Sequence, residues 1–478
     1  MLERCPTGIE GLDEVTNGGL PRGRTTLVCG GAGCGKTLLA IEFLVRGAEM
    51  GEPGVLVTFE ETAAEVTSNV RSLGWDLDDL CGEGKLAIDH VRVQREWIEE
   101  TGDYDLEALF VRIGFAIDQV KAKRVVIDTL EVLFSALEDT AVLRAELRRL
   151  FSWLKDRGVT AVVTAERGEG TLTRHGIEEY VSDCVITLDH RVDDQRAVRR
   201  LRVVKLRGSS HGTNEYPFLI SNNGFSIVPV SSFDLEHPAS KMAVSTGVAG
   251  LDEMLSKKGW YRGSTTMISG ASGSGKTTFA AHFADAACAR GERCLFLAFE
   301  ESRAQLVRNM GSVGIRLNRW IKDGLLRVEA SRPTQAGLES HLIELYQHVE
   351  DHEPDAVVID PISDFTAVGN SLDVKSMLMR MVDYLKTKEI TAVFTSLVHE
   401  HASEEDPSVS SLIDNWVQLR NIETDAQRDR GLFIQKARGM AHSNQIREFV
   451  MRSNGIHLLD VLDAPGGGVL TGRARGRR

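Results

Sequence analysis

The sequence predicts an α/β protein built from two tandem copies of one domain, each a mostly parallel sheet covered by helices. Two observations lead to this fold class. Short motifs of the first half return in the second half, in the same order and about 240 residues later. Within each copy, apolar runs of strand length alternate with helical patterns, which is typical of a parallel sheet with crossover helices.

The repeat fixes the predicted domain boundaries. We expect a first domain over residues 1–229, a polar linker over 230–241, a second domain over 242–460 and a flexible basic tail over 461–478. The repeated motifs are Pro6–Glu14 with Ser245–Glu253, Gly30–Thr37 with Gly270–Thr277, Phe59–Glu61 with Phe299–Glu301, Val125–Asp128 with Val357–Asp360, and Lys205–Gly208 with Lys436–Gly439.

The elements of the first copy follow from the alternation of apolar runs and helical periods. Strands of buried character are predicted where Thr, Val, Leu and Ile cluster, and helices where apolar residues recur at helical spacing. The predicted order is a strand at 25–29, a helix at 37–50, strands at 55–59 and 124–128 flanking a helix at 106–120, a helix at 141–157 and a strand at 160–164, with added strands near 199–206 and 432–436.

Composition excludes several classes of protein. The chain has 478 residues, of which 42% are hydrophobic and 26% charged, as in ordinary globular proteins. With a net charge of −13, the chain lacks the overall positive charge that is typical of a protein that coats DNA. We find neither an apolar run long enough to span a membrane nor a signal core, so a cytoplasmic location is expected. The seven cysteines lack CxxC spacing, which favours free thiols.

Two segments, Gly30–Thr37 and Gly270–Thr277, match the phosphate-binding pattern G-x-x-x-x-G-K-[ST]. Each follows a predicted strand and opens a predicted helix, so backbone N–H groups and the helix N-terminus can surround phosphate oxygens. The lysine of each segment can reach the β- and γ-phosphates, and its threonine can ligate Mg²⁺. The predicted ATP-binding residues here are Gly31, Gly33, Cys34, Gly35, Lys36, Thr37, Leu38, Ser272, Gly273, Ser274, Gly275, Lys276, Thr277 and Thr278.

Asp128 and Asp360 each end a short apolar strand. This places a carboxylate at the carboxyl edge of the sheet, where open α/β folds bind ligands. We predict that both aspartates help to hold Mg²⁺, together with Thr37, Thr277 and Glu300. Because an aspartate after a strand also commonly caps the next helix, that alternative stays open.

A pair of glutamates also follows a strand in each copy: Glu60 and Glu61, then Glu300 and Glu301. Carboxylates at this place can orient or deprotonate the nucleophile that attacks the γ-phosphate, so all four are predicted catalytic residues. The alternative is two acidic residues that merely favour a helix N-terminus.

Two basic pairs, Lys205 with Arg207 and Lys436 with Arg438, end predicted strands. Alternating spacing puts both side chains of a pair on one strand face. Two cations there suit a polyphosphate, including one bound by a neighbouring subunit. Solvated charges at strand ends are the alternative.

Taken together, these residues resemble the KaiC family of circadian-clock ATPases within the RecA-like P-loop superfamily. The resemblance covers about residues 5–457. It rests on the duplication and on six segments, which are 58–61, 72–77, 205–211, 215–218, 299–306 and 446–449. It implies tandem RecA-like domains forming a homohexamer of two stacked rings, with ATP at the subunit interfaces.

The resemblance also implies a division of labour between the rings. The first would be an ATPase, and the second an autokinase and autophosphatase acting on two adjacent hydroxyl residues, here Ser410 and Ser411. The first copy has no adjacent hydroxyls at its aligned stretch near 176–183. ATP and Mg²⁺ are the implied cofactors.

Further contacts follow from the same resemblance. Lys205, Leu206, Arg207, Lys436 and Arg438 would reach ATP across the interface, with Ser209 and His211 added in the first ring. The segment 91–104 would meet a KaiB-type partner. A KaiA-type activator is not expected, because the tail here is short, glycine-rich and arginine-rich.

The leading functional hypothesis is therefore an ATP hydrolase that phosphorylates and dephosphorylates itself and acts as an oligomeric timer or signalling switch. A nucleic-acid-dependent RecA-like motor or recombinase is the alternative. It would share the fold and both phosphate loops but needs basic or aromatic loops along a pore. The arginine cluster within 191–202 is interrupted by Asp193 and Asp194, and the net charge is −13, so a nucleic-acid partner is not expected. A third hypothesis is a scaffold protein that uses ATP only to assemble.

Overall fold

A computed structural model describes residues 2–91, 107–134, 140–168, 171–173, 176, 178–193, 196–222, 224–227, 239–335, 337–398, 411–424 and 427–459. The chain divides into two compact units, Met1–Ser232 and Phe233–Arg478. The predicted linker, apart from 239–241, and the predicted tail lie outside the described residues. Each unit is taken by itself below.

The first unit contains a nine-stranded sheet and a small two-stranded sheet within its described residues. The strands are β1 (Arg4–Cys5), β2 (Leu20–Pro21), β3 (Thr25–Gly30), β4 (Gly54–Thr58), β5 (Leu86–His90), β6 (Arg124–Asp128), β7 (Thr160–Glu166), β8 (Cys184–Asp193), β9 (Arg196–Leu206), β10 (Glu215–Ser221) and β11 (Gly224–Ile227). The large sheet has the order β11-β10-β9-β8-β3-β7-β6-β4-β5. From β8 to β5 neighbouring strands are parallel, whereas β9, β10 and β11 add antiparallel pairs.

Helices cover both faces of this sheet. They are α1 (Leu12–Val15), α2 (Lys36–Glu49), α3 (Ala63–Val70), α4 (Leu77–Gly82), α5 (Glu107–Val120), α6 (Leu130–Phe134), α7 (Thr140–Asp156) and α8 (Glu178–Val181). Neighbouring strand residues alternate between two apolar cores: Val28 and Val126 pack with α2, whereas Leu27 and Val125 pack with α5 and α7. A sheet buried on both faces needs apolar side chains at successive positions, which explains its continuous apolar strands.

The second unit repeats this plan. Its described strands are β12 (Ala243–Val244), β13 (Trp260–Tyr261), β14 (Thr265–Gly270), β15 (Cys294–Ala298), β16 (Leu326–Ala330), β17 (Ala356–Asp360), β18 (Thr391–Leu397), β19 (Asn415–Thr424), β20 (Gln427–Ala437), β21 (Arg447–Arg452) and β22 (Gly455–Leu458). The large sheet has the order β16-β15-β17-β18-β14-β19-β20-β21-β22, and its helices are α9 (Ala249–Met254), α10 (Lys276–Ala289), α11 (Arg303–Ser312), α12 (Leu317–Lys322), α13 (Leu338–His352) and α14 (Ser371–Thr387). Short 3₁₀-helices lie at Arg71–Leu73, Pro333–Gln335 and Ile362–Ala367.

The strand order places each phosphate loop beside the centre of its sheet. In both units the central strand, β3 or β14, lies between two parallel neighbours, and the crossing helix α2 or α10 starts directly after it. The two mostly parallel nine-stranded sheets confirm the predicted α/β class and its duplication. Among the described residues, we find no helix that is both long and apolar enough to cross a membrane.

Candidate nucleotide-binding and phosphoryl-transfer sites

The phosphate loop of the first unit joins β3 to α2, as the sequence predicts. Gly35 precedes the helix with φ 105°, in the left-handed region where only glycine is unstrained. A Cβ atom at this position would also lie 2.8 Å from Ile220 Cδ1. At Gly31 and Gly33, by contrast, an added Cβ would meet no heavy atom within 4 Å, so the loop surface there is open to a ligand.

The loop lysines are oriented by the loop itself. Lys36 Nζ donates to the carbonyl oxygens of Gly30 at 2.9 Å and Gly31 at 3.0 Å. Lys276 Nζ makes the same two contacts, with Gly270 at 2.9 Å and Ala271 at 3.0 Å. An ammonium group has three donors, so each lysine retains one for a phosphate oxygen.

Burial lowers the pKa of Lys276, although the nearby carboxylates of Asp360 and Glu300 act in the opposite direction. The cation therefore lies in a partly desolvated place, where its attraction to a phosphate is screened less than in water.

The remaining predicted loop residues are at equivalent positions in the two units. Cys34 and Ser274 are buried beneath their loops, and Thr278 is buried in the first turn of α10. The buried Ser274 hydroxyl has no hydrogen-bond partner among the described residues. Leu38 lines the cavity described below.

Asp128 ends β6 and is held from two sides. Thr37 Oγ1 donates to Asp128 Oδ2 at 2.9 Å, and the Thr164 hydroxyl donates to the other carboxylate oxygen. Thr164 lies on β7, the strand between β3 and β6. The two hydroxyls therefore fix the carboxylate beside the phosphate loop.

Asp360 of the second unit has the same surroundings. It ends β17, is 8% exposed and accepts a hydrogen bond from the Thr395 hydroxyl of β18. Burial raises the pKa of Asp360, whereas the hydroxyls of Thr395 and Thr277 and the Lys276 charge favour its ionised form. Both aspartates thus do more than cap a following helix, because each contacts residues of its phosphate-binding region.

A cavity of about 300 Å³ adjoins the first phosphate loop. It is lined by Thr37, Leu38, Ile41, Thr58, Glu60, Glu61, Val66, Asn69, Val70 and Asp128. The hydroxyl of Thr37 and the carboxylate of Asp128 offer the hard oxygen ligands that Mg²⁺ takes in nucleotide sites, together with substrate phosphates and water. The donor set therefore fits a magnesium ion, although the described residues contain no group of three or more His, Cys, Asp or Glu that could hold a metal without such help.

The paired glutamates lie between a strand and a helix that begins with a capping box. In the first unit Thr62 caps α3 and Glu65 completes the box; in the second unit Ser302 and Gln305 do the same for α11. These caps fix how the chain leaves each glutamate pair.

The two glutamates of a pair have different environments. Asn69 Nδ2 donates to Glu61 Oε1 at 2.9 Å, and Asn309 Nδ2 donates to Glu301 Oε1 at the same distance. Glu60 makes no hydrogen bond with any residue that the structure describes. Burial raises the pKa of Glu61, helped by the charges of Asp128, Glu65 and Glu60.

In the second unit the pKa of Glu300 is also raised, first by burial and then by the charges of Asp364 and Asp360. Glu300 thus shares an electrostatic environment with Asp360, and its predicted part in metal binding stays a prediction.

The basic pairs lie at the edge of the sheet opposite the phosphate loop of their own unit. In the register of β3, β8 and β9, Gly30 is level with Leu188, whereas Leu206 is level with Cys184 and Thr26. Four residues along a strand separate the two levels, which is about 13 Å. The second unit repeats this arrangement, because Ala437 pairs with Asn415 at the start of β19.

At this edge the lysines are anchored by backbone carbonyls. Lys205 Nζ donates to Glu179 O at 2.9 Å and to Ser182 O at 2.7 Å, and Lys436 Nζ donates to Ile413 O at 2.7 Å. Burial lowers the pKa of both lysines, and the charge of the neighbouring arginine adds to this effect.

The arginines of the pairs are about half exposed. Arg207 lies 3.8 Å from Asp183, and Arg438 lies 3.6 Å from Asp414. Each guanidinium group is therefore partly open to solvent at this edge and lies close to an aspartate carboxylate.

The other residues predicted at this edge differ in what they can offer a ligand. The Leu206 side chain is buried in the core, so only its backbone faces outward. Ser209 Oγ donates to Ser210 O at 2.9 Å, and His211 is half-buried. In the second unit Met440 occupies the place of Ser209 and is buried.

The predicted phosphorylation sites lie at the border of the described chain. Ser410 lies outside the described residues. Ser411 is exposed, and its carbonyl oxygen accepts a hydrogen bond from Arg438 Nη2 at 2.8 Å. The second predicted serine is therefore next to the basic pair of its own unit.

Sequence reasoning missed two sets of residues at these sites. The threonines that hold the aspartates, Thr164 and Thr395, lie on strands without a motif of their own. The asparagines do have a signal: each stands eight residues after the second glutamate, at Asn69 and Asn309, in the pattern F-E-E-[TS]-x-x-[EQ]-x-x-x-N.

Comparison with known proteins decides the family. A family model described as "ATPase: KaiC" matches residues 5–232 and again residues 244–462. The chain belongs to the KaiC family. Its two ATPase domains are thus KaiC domains, and ATP is the nucleotide they bind.

Curated KaiC proteins align with nearly all of the chain. It is 52% identical to circadian clock protein KaiC2 of Synechocystis sp., over 99% of this chain and 84% of that protein. It is 39% identical to circadian clock oscillator protein KaiC of Synechococcus elongatus, over 96% of this chain and 89% of that protein. For KaiC3 of Synechocystis sp. the identity is 38%, with coverages of 96% and 92%.

Proposed function

We propose that this KaiC-family chain is a Mg²⁺-dependent ATP hydrolase that phosphorylates and dephosphorylates itself at Ser410 and Ser411, and so acts as an oligomeric clock or signalling switch. The observation that carries the proposal is the duplicated site. In both units a loop lysine, an aspartate held by a strand threonine and a glutamate pair lie near one phosphate-binding loop.

The residues of each site have separate tasks. The loop amides and Lys36 or Lys276 bind and orient the triphosphate, because N–H donors and a cation face its oxygens. Mg²⁺, when bound by the loop threonine and the aspartate, offsets the negative charge of the phosphates. The glutamate pair takes the proton of the attacking hydroxyl as the new P–O bond forms and the bond to the leaving ADP breaks.

The nucleophile distinguishes the two proposed reactions. Water attacks in the first unit and yields phosphate. In the second unit the hydroxyl of Ser410 or Ser411 attacks and yields phosphoserine, which adds about −1.5 to −2 charges. A charge of that size between subunits changes how the subunits pack, so the phosphorylated and unmodified proteins differ in structure.

The opposite-edge location of the basic pairs supports a ring. Lys205 and Arg207 are too far from their own phosphate loop to contact the same ATP, but a neighbouring subunit can present its nucleotide to them. We propose a homohexamer in which each ATP lies between two chains, with Ser209 and His211 adding contacts in the first ring. Its expected place is the cytoplasm.

Partner proteins belong to the same proposal. The curated relatives are named as circadian clock proteins. A KaiB-type partner is proposed at 91–104, of which only Val91 lies within the described residues, and a KaiA-type activator is not proposed. Neither a membrane nor a nucleic acid has a place in this scheme.

The test is intact mass measurement and phosphopeptide mapping after incubation with Mg·ATP. The variants are Glu300→Gln/Glu301→Gln in the second unit and, as a matched control, Glu60→Gln/Glu61→Gln in the first. Phosphate at Ser410 or Ser411 in the parent and in the control, but not in the second-unit variant, supports the autokinase. If ATP is consumed while the chain stays unmodified, the proposed autokinase activity is wrong. The next measurement is then whether nucleic acid stimulates ATP hydrolysis.

A further inference from the structure

A histidine of the second phosphate-loop helix binds the edge hairpin of its sheet. The Ile456 backbone N–H donates to His282 Nε2 at 3.1 Å. Ile456 lies on β22, the outer strand of the hairpin β21–β22, and His282 lies in the second turn of α10. Gly455 allows this close approach, because with φ 108° a Cβ atom there would lie 2.6 Å from His282 Cε1. Since the donor is a backbone N–H, the accepting nitrogen carries no proton and the ring is neutral.

The same hairpin packs against the phosphate loop. A Cβ atom at Gly275, the last glycine of the loop, would clash with Met451 Cε of β21. Phe449, also on β21, packs edge to face with Phe279 of α10, with ring centroids 5.2 Å apart. The hairpin therefore contacts both the loop and its helix, so a shift of the hairpin changes the packing of the nucleotide site.

The first unit uses a glutamate for the same contact. Glu42 and His282 both stand six residues after the loop lysine of their unit. Glu42 Oε2 accepts a hydrogen bond from the Phe225 N–H at 2.8 Å, and Phe225 lies on β11, the strand that corresponds to β22. The two units thus share one contact between hairpin and helix but differ in the titratable group that accepts it.

Acid affects the two acceptors differently. A protonated imidazole carries N–H groups at both ring nitrogens, so His282 would no longer accept the backbone N–H. A protonated carboxyl keeps a carbonyl oxygen, so Glu42 still accepts its backbone N–H. The charged groups that act on Glu42 are Arg46 of the same helix and Glu10 near β11.

The surroundings of His282 favour the neutral ring. Burial lowers the pKa of His282; Asp285 of the same helix opposes this effect, and His457 of β22 adds to it. Asp285 itself accepts hydrogen bonds from Arg319 Nη2 at 3.1 Å and Trp320 Nε1 at 2.7 Å, both on α12. Because the folded pKa is lowered, the stability from the neutral ring is present above the ordinary histidine value of about 6.5 and is lost as pH falls below it.

We infer that protonation of His282 releases the hairpin β21–β22 from α10 and thereby weakens ATP binding in the second unit, a response to acid that the first unit does not share. This inference rests on the proposed function, because it adds regulation to the nucleotide site of the second unit. Mild acidification would then reduce ATP occupancy at the proposed autokinase site while the first site stays filled.

The experiment measures one site at a time in the full-length chain. Equilibrium dialysis with Mg²⁺ and a non-hydrolysable ATP analogue at pH 5.5 and 7.5 gives Kd. A Lys36→Ala background leaves the second site, and a Lys276→Ala background leaves the first. In the former, His282→Gln supplies an amide oxygen that accepts at every pH, whereas His282→Leu supplies no acceptor. His457→Gln is the matched control, since this histidine lies on the same hairpin and its Nε2 contacts Asn454 Oδ1 at 2.8 Å.

A second measurement follows the hairpin contact itself. Hydrogen exchange with mass spectrometry, read from peptides that cover residues 453–458 and corrected for the intrinsic exchange rate at each pH, reports how often the Ile456 N–H is free. It needs no nucleotide. The same reading at residues 224–227 reports the hairpin of the first unit.

A proton-controlled contact predicts a specific pattern. With His282 present, Kd of the second site rises about three- to tenfold more between pH 7.5 and 5.5 than in the His282→Gln chain, because one proton changes affinity at most tenfold per pH unit. The ratio to His282→Gln removes the titration of the nucleotide itself. His282→Leu binds weakly at both pH values, and His457→Gln keeps the parental profile. The first site weakens no more than the second site of His282→Gln.

The outcomes separate the inference from the proposed function. If His282→Gln and its parent show the same pH dependence of Kd, or if their hairpins exchange alike at pH 5.5, the inference is refuted. If His457→Gln removes the dependence instead, His282 is not the responding group and the inference is also refuted. If the second site binds no nucleotide even at pH 7.5, the proposed function fails, and exchange at residues 453–458 still decides whether His282 controls the hairpin.

Discussion

A buried arginine of the first unit offers a quantitative test of how the phosphate-loop helix is held. The Arg124 side chain is 0% exposed and donates to Phe43 O at 2.7 Å and to Pro6 O at 2.7 Å. It also lies 2.7 Å from Glu52. Gly47 makes room for it, because a Cβ atom there would lie only 2.4 Å from Arg124 Cδ.

The second unit has neither the glycine nor the arginine at the equivalent positions. Ala287 and Ala356 stand where the first unit has Gly47 and Arg124. The two positions therefore change together between the copies, as expected when one side chain fills the space that the other leaves. The experiment gives the first unit the residues of the second, with Gly47→Ala and Arg124→Ala made singly and together.

The structure sets the expected magnitudes. Arg124→Ala leaves the carbonyl oxygens of Phe43 and Pro6 without their donor, whereas Glu52 keeps its ion pair with Arg22. At about 1–3 kcal/mol for each unpaired carbonyl, we expect a loss of about 2–6 kcal/mol of unfolding free energy. Gly47→Ala alone overpacks the site by about 1–3 kcal/mol, against a gain in helix propensity of about 1 kcal/mol. In the double variant the clash disappears and the propensity gain remains, so its loss is smaller than the sum by about 1–3 kcal/mol.

The assay is hydrogen exchange with mass spectrometry on the whole chain, read from peptides that cover α2 and β6. Local exchange is preferable to a single unfolding curve because a chain of two units does not unfold in one step. Gly82→Ala is the control, since a Cβ there meets no heavy atom within 4 Å. Additivity of the two single variants within about 0.5 kcal/mol would refute the packing argument.

Three further predictions concern charge and assembly. Burial raises the pKa of Glu42 to about 7, against the opposing Phe225 N–H and Arg46 contacts. A folded pKa above the unfolded value means stability that is fully present below about pH 4.5 and is lost as pH rises through 7, by about 3 kcal/mol in all. The measurement is again hydrogen exchange of peptides that cover α2, at pH 5.5 and 8 and corrected for the intrinsic exchange rate at each pH, and Glu42→Gln should abolish the slope. Lys36→Ala should reduce the ATP bound per chain by about half in equilibrium dialysis, since the second site is intact, and an unchanged ratio would contradict the role of the lysine. If ATP is shared between chains, mixing Lys36→Ala chains with Arg207→Ala chains should restore part of the first-site hydrolysis that each lacks alone, whereas no gain on mixing would argue against the ring.

Much of the fold was accessible from local sequence. The strands at β3, β4, β6 and β7 and the helices between them follow from apolar runs and helical periods, because a doubly covered parallel sheet leaves few polar positions. The phosphate loops and the aspartates were found for the same reason, since each stands at the end of such a strand. Strand boundaries differ from the predicted ones by up to five residues: β9 begins at Arg196 rather than 199, and β20 begins at Gln427 rather than 432.

Other features depend on residues far apart in sequence. Thr164 and Thr395 meet their aspartates only because β7 and β18 lie next to β6 and β17 in the sheet order. That the basic pairs lie opposite the phosphate loop depends on the antiparallel return of β9 and β20, which apolar patterning alone does not specify. The burial of Arg124 is a further case, because a charged residue opening a strand normally predicts exposure.

The two sites share one frame but differ in the charge around the first glutamate. Asp364 stands in the second unit where the first has Val132, and its charge adds to burial in raising the pKa of Glu300. A carboxylate with a raised pKa is a stronger base once ionised. Under the proposed function, Asp364 thus adds negative charge beside the glutamate pair that takes the proton of the serine. Asp364→Val would lower the basicity of Glu300 and should slow serine phosphorylation more than ATP hydrolysis at the first unit, which lacks this neighbour; equal slowing of both would show that the added carboxylate does not act through Glu300.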